Sequence, residues 1–263
     1  MNKQINFSST YHLDIGGARS VRFVYKTIRA ISRAKGSKLC ILDIGCGTGQ
    51  LTNAIAYAFD CEITAIDIDF NSINAAEIGA QQLSNVHYLL TSYEDFNSDK
   101  KYDVVLMTQV LDHVKDPKEI LKKVVTRNLN EIYGTIIVGI SNGYGIYERI
   151  KHKYRNKKTL LKHNARNRQL IEHPFTNNNN SPHLWQFSRK SLNDLMIESA
   201  LKIVKLEKIT FILPAYPLCM LYYNSPFIIS KLLEFIDGLL AKILPASFSS
   251  NWYFSCTIAH EFD

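Results

Sequence analysis

The tightest constraint in this sequence is the stretch LDIGCGTG, Leu42 to Gly49, where an apolar run meets three glycines at alternate positions and then a segment with helical spacing. Glycine tolerates positive φ and lets a ligand or another backbone come close, so such a turn directly after a strand leaves backbone amides accessible at the bend. The run that feeds it, Leu39 to Ile44, is followed by others at Glu62 to Ile68, Val86 to Leu90, Tyr102 to Met107 and Ile132 to Ile140, each bounded by turn residues. Helical spacing between them shows in Leu51, Ile55, Ala58 and Phe59, then in Ile73, Ala76 and Ala80, then in Ile120, Leu121 and Val124. Strand alternating with helix predicts an α/β fold: a Rossmann-like, doubly wound, mostly parallel sheet with helices on both faces. Further strands near Lys202 to Ile212 and Trp252 to Ala259 bring the expected count to seven.

Residues 1–38 read as a helical cover, with Val21, Val24, Tyr25 and Ile28 on the apolar side of a helix from Gly17 to Arg33. Residues 39–145 form the ligand-binding core. The alternation then stops, and 146–187 is a polar, basic insertion or lid that includes the low-complexity run Asn177 to Asn180. Residues 188–263 complete the sheet, with a helix near Ser188 to Ala200 and an amphipathic helix from about Pro226 to Leu244. That last helix carries Ile229, Leu232, Leu233, Ile236, Leu240 and Ile243 on one side and Lys231, Glu234, Asp237 and Lys242 on the other, and its apolar side is expected to pack on the domain.

A strand, glycine turn and helix can serve NAD, a flavin or S-adenosylmethionine. Here the pattern is G-x-G-x-G with Asp43 two residues ahead, and Gln50 stands where the dinucleotide fingerprint has its third glycine. Asp67 closes the second strand in AIDID, about 20 residues on, where a carboxylate can accept hydrogen bonds from both ribose hydroxyls. Its other reading is a cap for the next helix, a role that Asp69 suits better.

Together these residues resemble the class I S-adenosylmethionine-dependent methyltransferases, over about Leu39 to Gly145. The nearest likeness is to small-molecule O-methyltransferases of the ubiquinone and natural-product type. The resemblance implies S-adenosyl-L-methionine as cofactor, with Asp43, Gly45, Cys46, Gly47 and Gly49 around its methionine half and Asp67 and Ile68 at its ribose and adenine. In TSYEDF many relatives have an aspartate where Ser92 stands, so Ser92 and Tyr93 become the candidates there. In TQVLDHVKDP the resemblance brings Gln109 to the cofactor's amino acid end. Ubiquinone-type relatives hold a divalent metal there with two glutamates and a histidine; this chain has Gln109, Asp112 and His113, and no metal is expected.

His113 reads either as a general base, since its unperturbed pKa suits proton acceptance near neutrality, or as a residue ordering the next helix start. His183 in SPHLWQF is the rival base, resembling a substrate-side loop, or is a surface histidine. Asn142, Tyr144 and Tyr147 in ISNGYGIYE, with Trp185, are expected to line an acceptor pocket; Gly143 and Gly145 would equally serve a plain turn.

The net charge of +7 suggests nucleic acid or an anionic membrane, yet nine basic residues against one acid lie between Glu148 and Leu170, leaving the rest near neutral. That segment reads as contacting an anionic or carrier-linked acceptor, as touching anionic lipid beside the apolar C-terminal helix, or as a solvated lid helix. There is no separate nucleic-acid module, and no N-P-P-Y tetrapeptide follows the fourth strand, so nucleic acid is not the favoured acceptor. The expected partner is a small molecule. N-methylation and a non-catalytic role as a partner protein remain open, as does oligomeric state, a dimer included. Five cysteines without C-x-x-C spacing, and an N-terminus without a basic flank plus apolar run, point to the cytoplasm.

Overall fold

In a computed structural model, which describes residues 17–145, 171–172, 184–212, 222 and 225–259, the apolar runs become strands and the helically spaced segments cover them. Helix α1 (Gly17–Lys35) precedes β1 (Leu39–Ile44), α2 (Gln50–Ala58), β2 (Cys61–Asp67), α3 (Phe70–Gly79), β3 (Val86–Leu90), β4 (Val104–Thr108), α4 (Pro117–Lys123) and β5 (Thr135–Ser141). Then come β6 (Ile171–Glu172), β7 (Trp185–Gln186), α5 (Arg189–Glu198), β8 (Leu201–Ile209), α6 (Phe227–Ile243) and β9 (Asn251–Ile258). Seven strands form one sheet in the order β3-β2-β1-β4-β5-β9-β8, and β6 pairs separately with β7. β1 to β5 are mutually parallel, while β9 runs antiparallel to both of its neighbours. Strand order reverses between β1 and β4, the position at which open α/β sheets leave a crevice beyond their carboxyl ends.

The two-residue period of a strand divides the core. Leu39 and Ile41 of β1 and Val104 and Leu106 of β4 face α1 and α2, joining Val24, Ile28 and Ile55. Leu42, Ile44, Val105 and Met107 point the other way, toward Ile120 and Leu121 of α4 and Leu192 and Leu195 of α5. Both faces of the central strands are therefore buried, which is why their sequences are continuously apolar rather than alternating. Local capping fixes the helix starts. Asp69 accepts from Ser72 N–H at α3, Asp116 accepts from Lys118 and Glu119 N–H ahead of Pro117, and Ser188 and Ser191 form a reciprocal box at α5. Most of the basic insertion, Arg149 to Arg168 included, lies outside the described residues.

Helix α6 reverses the expectation for it. Its buried residues are Asp237 and Ala241, whereas Ile228, Leu232, Phe235 and Ile243 are exposed. Inward, the buried Asp237 and Ala241 are flanked by half-buried Leu233 and Leu240, so a charged group lies at the centre of the inner side. Asp237, 0% exposed, accepts from Phe211 N–H (2.6 Å) and Ile212 N–H (2.8 Å) through Oδ1 and pairs with Arg19 through Oδ2. Periodicity located the stripe but could not say which side faces the domain, because a carboxylate with enough donors can be the inward group. Asp237→Ala is expected to lower stability by about 3–5 kcal/mol, the range for removing one partner of a buried ion pair. Urea unfolding measures it, and a loss no larger than that of an exposed alanine substitution would contradict this role.

Candidate functional site

The turn after β1 is pinned to the neighbouring strand before it reaches α2. Gly45 N–H and Cys46 N–H both donate to Ile66 O (2.8 and 3.1 Å), and Gly47 N–H donates to the Asp67 carboxylate at Oδ2 (2.8 Å). Asp67 takes Asp69 N–H on its other oxygen (2.9 Å). A carboxylate offers roughly four acceptor positions, so two remain for hydroxyl donors. Gly45, Gly47 and Gly49 have φ of 70°, 53° and 70°, in the left-handed region that side chains disfavour. Two of them are also sterically required. A Cβ on Gly45 would meet Val110 Cγ2 at 2.5 Å, from the loop after β4, and one on Gly49 would meet the Tyr88 hydroxyl at 2.4 Å. At Gly47 nothing lies within 4 Å of that position, so the turn opens there toward free space.

Beneath the turn, Asp43 is buried, 2% exposed, with Oδ2 accepting from Thr52 Oγ1 at 2.6 Å and Oδ1 lacking any hydrogen-bond partner among the described residues. Burial raises its pKa to about 7, against the Thr52 bond, which lowers it, and with the Asp67 charge adding to the rise. Burial also pushes the half-buried Cys46 thiol well above its ordinary range, so it is no nucleophile. Ile68 is 76% exposed beside Asp67. Thr52 was not singled out from sequence; a hydroxyl residue in the first turn after the glycines is the signal that marks it.

On the other side of the switch point, Gln109 has φ 59°, unusual for a residue with a side chain, and receives Ser141 Oγ–H on Oε1 (3.0 Å) while its own N–H donates to Gly139 O (2.7 Å). His113 stands in the same loop, partly buried, its Nε2 3.8 Å from Oδ1 of the buried Asp112. Asp116 supplies the side-chain cap of α4. Leu184 and Trp185 N–H donate to Asp112 O (2.6 and 3.2 Å), and Trp185 Nε1–H donates to Val114 O (2.6 Å). The chain just past His183 is thus tied to the His113 loop; His183 itself and Tyr147 lie outside the described residues.

Two expected contacts are corrected. Tyr93 turns inward, 4% exposed, with its hydroxyl donating to Asn128 Oδ1 (2.7 Å), so its side chain is core and not a cofactor contact. Ser92 remains half-exposed at the end of β3, its hydroxyl engaged with Asp95 (2.7 Å). Asn142 is a structural clip instead of a pocket wall. Its Nδ2 donates to Ser247 O and Ser249 O (3.1 and 2.7 Å) and its Oδ1 accepts from Tyr144 N–H (3.0 Å), which engages both ends of the amide in a buried place. Tyr144 stays exposed.

Known proteins are similar to this chain in sequence and in fold. The chain is 38% identical over 90 residues to the ubiquinone biosynthesis O-methyltransferase of Rickettsia typhi, an alignment covering 34% of this chain and 36% of that protein. The chain therefore spans about a third of the length of the curated relatives it matches. In fold it is similar to an S-adenosylmethionine-dependent methyltransferase from Clostridium acetobutylicum (TM-score 0.58, 13% identity, 95% of this chain and 94% of that one). It is similar also to the [4+2]-cyclase SpnF (TM-score 0.54, 14% identity, 89% and 80%). The family described as "Methyltransferase domain" matches residues 35–194, more than half of the sequence and all of the turn, switch point and His113 loop just described, and the chain belongs to that family.

Proposed function

We propose that this chain transfers a methyl group from S-adenosyl-L-methionine to a hydroxyl of a small-molecule acceptor. One observation carries the reading: at the switch point, an open glycine turn is bonded to the acid that closes β2, above a buried carboxylate with one oxygen unpartnered among the described residues. These residues fit a ligand that is a ribonucleoside at one end and cationic at the other. Asp67 retains acceptor positions for ribose hydroxyls, and exposed Ile68 offers an apolar surface for the base. The space at Gly47 admits the chain between the ends, and Asp43 Oδ1 supplies a negative partner for the charged end.

The bound cofactor supplies an activated methyl that leaves with its electron pair remaining on a neutral sulfide. The protein's contribution is to hold acceptor and methyl in line and to exclude water, and positioning of this kind supplies about 7–11 kcal/mol. A hydroxyl acceptor must also lose its proton, and His113, beside Asp112 in the loop after β4, takes that role in this reading, with His183 as the alternative. The acceptor side is drawn from Tyr144, Trp185 and the basic segment between β5 and β7, which suits an anionic or carrier-linked molecule. The name of the Rickettsia relatives, ubiquinone biosynthesis O-methyltransferase, supports oxygen as the atom modified.

Three outcomes are expected. Asp67→Ala weakens S-adenosylhomocysteine binding by at least about tenfold, the consequence of 1–3 kcal/mol for unpaired polar groups; equal affinity in calorimetric titration would refute the ribose assignment. His113→Ala leaves that affinity intact but slows transfer of labelled methyl by about 10²-fold, and an undiminished rate excludes it as the base. Because the pKa of Asp43 is raised to about 7, the free protein carries a proton there below that pH, which a cationic ligand must displace. Affinity should therefore rise with pH up to about 7, by at most about tenfold per unit, and then level off. Asp43→Asn should flatten the profile.

A further inference from the structure

Along α6 the chain turns its greasiest side to solvent. At 3.6 residues per turn, Ile228, Leu232, Phe235, Leu239 and Ile243 share an outward arc opposite Asp237 and Ala241, with Ile228 80% and Phe235 69% exposed. Single exposed apolar residues are ordinary, but a continuous strip the length of a helix marks an interaction surface. Beside one edge of the strip, Lys231 and Lys242 begin a groove of about 710 Å³ between α6, α1 and β8. Its walls add Arg19, Arg22, Lys26, Lys205 and Lys208, against only Glu207 and Glu234 among the described residues. Arg19 meets the buried Asp237 through Nη2 and lends the rest of its charge to the groove wall.

We propose that this face docks on an anionic lipid bilayer, the strip of α6 seated at the acyl boundary and the groove holding phosphate headgroups. The order in space is that of a lipid, charge beside hydrocarbon, and it is the arrangement of an interfacial helix. A second copy packed antiparallel on the strip fits less well, because that pairing brings two lysine-edged rims of the same sign together. No helix among the described residues is long and apolar enough to cross a membrane, so α6 lies in the interface plane. The docked helix is also one short loop from the crevice, since Asn142 just beyond β5 holds the Ser247 and Ser249 carbonyls that follow it. The proposal stands on α6, α1 and β8 and is independent of the methyl acceptor.

Flotation of the full chain with vesicles tests it, one set of phosphatidylcholine and one of phosphatidylcholine and phosphatidylglycerol in equal parts. The chain is expected to float with the mixed vesicles, to do so far less with phosphatidylcholine alone, and to be released by salt. Ile228→Glu with Phe235→Glu should reduce flotation at least about tenfold, because charges then face the acyl boundary, and Lys205→Glu with Lys242→Glu should abolish the preference for the anionic vesicles. Thermal melting and S-adenosylhomocysteine titration, both expected to match the parent, show that the variants fold. The proposal is overturned if neither vesicle binds, if the double glutamate variant floats as well as the parent, or if sedimentation velocity shows a dimer that this variant dissociates.

Discussion

The crevice depends on one acid. By accepting a backbone amide from the glycine turn and another from the start of α3, the Asp67 carboxylate holds β1's exit, β2's end and the next helix in one register. Within the turn the described backbone hydrogen bond is Gly49 N–H to Cys46 O (3.1 Å), and its other amides look outward to Ile66 O and to Asp67. Burial raises the pKa of Asp43 beneath the turn to about 7, and the Asp67 carboxylate nearby adds to that rise.

The sheet was legible because buried parallel strands have a plain signature. Leu39–Ile44 and Val86–Leu90 fall where the apolar runs placed them, and the other boundaries shift by a few residues at most, since an apolar run signals burial more sharply than it signals the last ladder bond. The glycine turn and Asp67 were legible for a related reason: a left-handed backbone at a strand exit admits few residue types, and an acid at the end of the adjacent strand opens onto the same crevice. Tyr93 and Asn142 were not. Both stand where a ligand contact is plausible in one dimension, and what withdraws them is a partner far along the chain, Asn128 for one and the Ser247 to Ser249 carbonyls for the other. Helix α6 failed differently. Amphipathicity gives a direction only relative to an assumed interior, and Asp237 with its two amides and arginine supplies an interior that composition does not announce.

Fold and chemistry separate in this architecture. The same sheet order resembles both a methyltransferase and a [4+2]-cyclase at 13–14% identity, so the arrangement of strands leaves the reaction open. What narrows it is local. The family match covers residues 35–194, which carry the glycine turn, the switch point and the His113 loop.

The way α6 is anchored has an evolutionary side. Because the helix is held by a carboxylate, two amides and a guanidinium, its most exposed residues, Ile228, Phe235 and Ile243, lie outside the anchoring contacts. Related chains can therefore trade that greasy strip for a charged one, or sharpen it, through single substitutions that leave the core untouched. Where such a protein resides in the cell could change between lineages much faster than what it binds in the crevice.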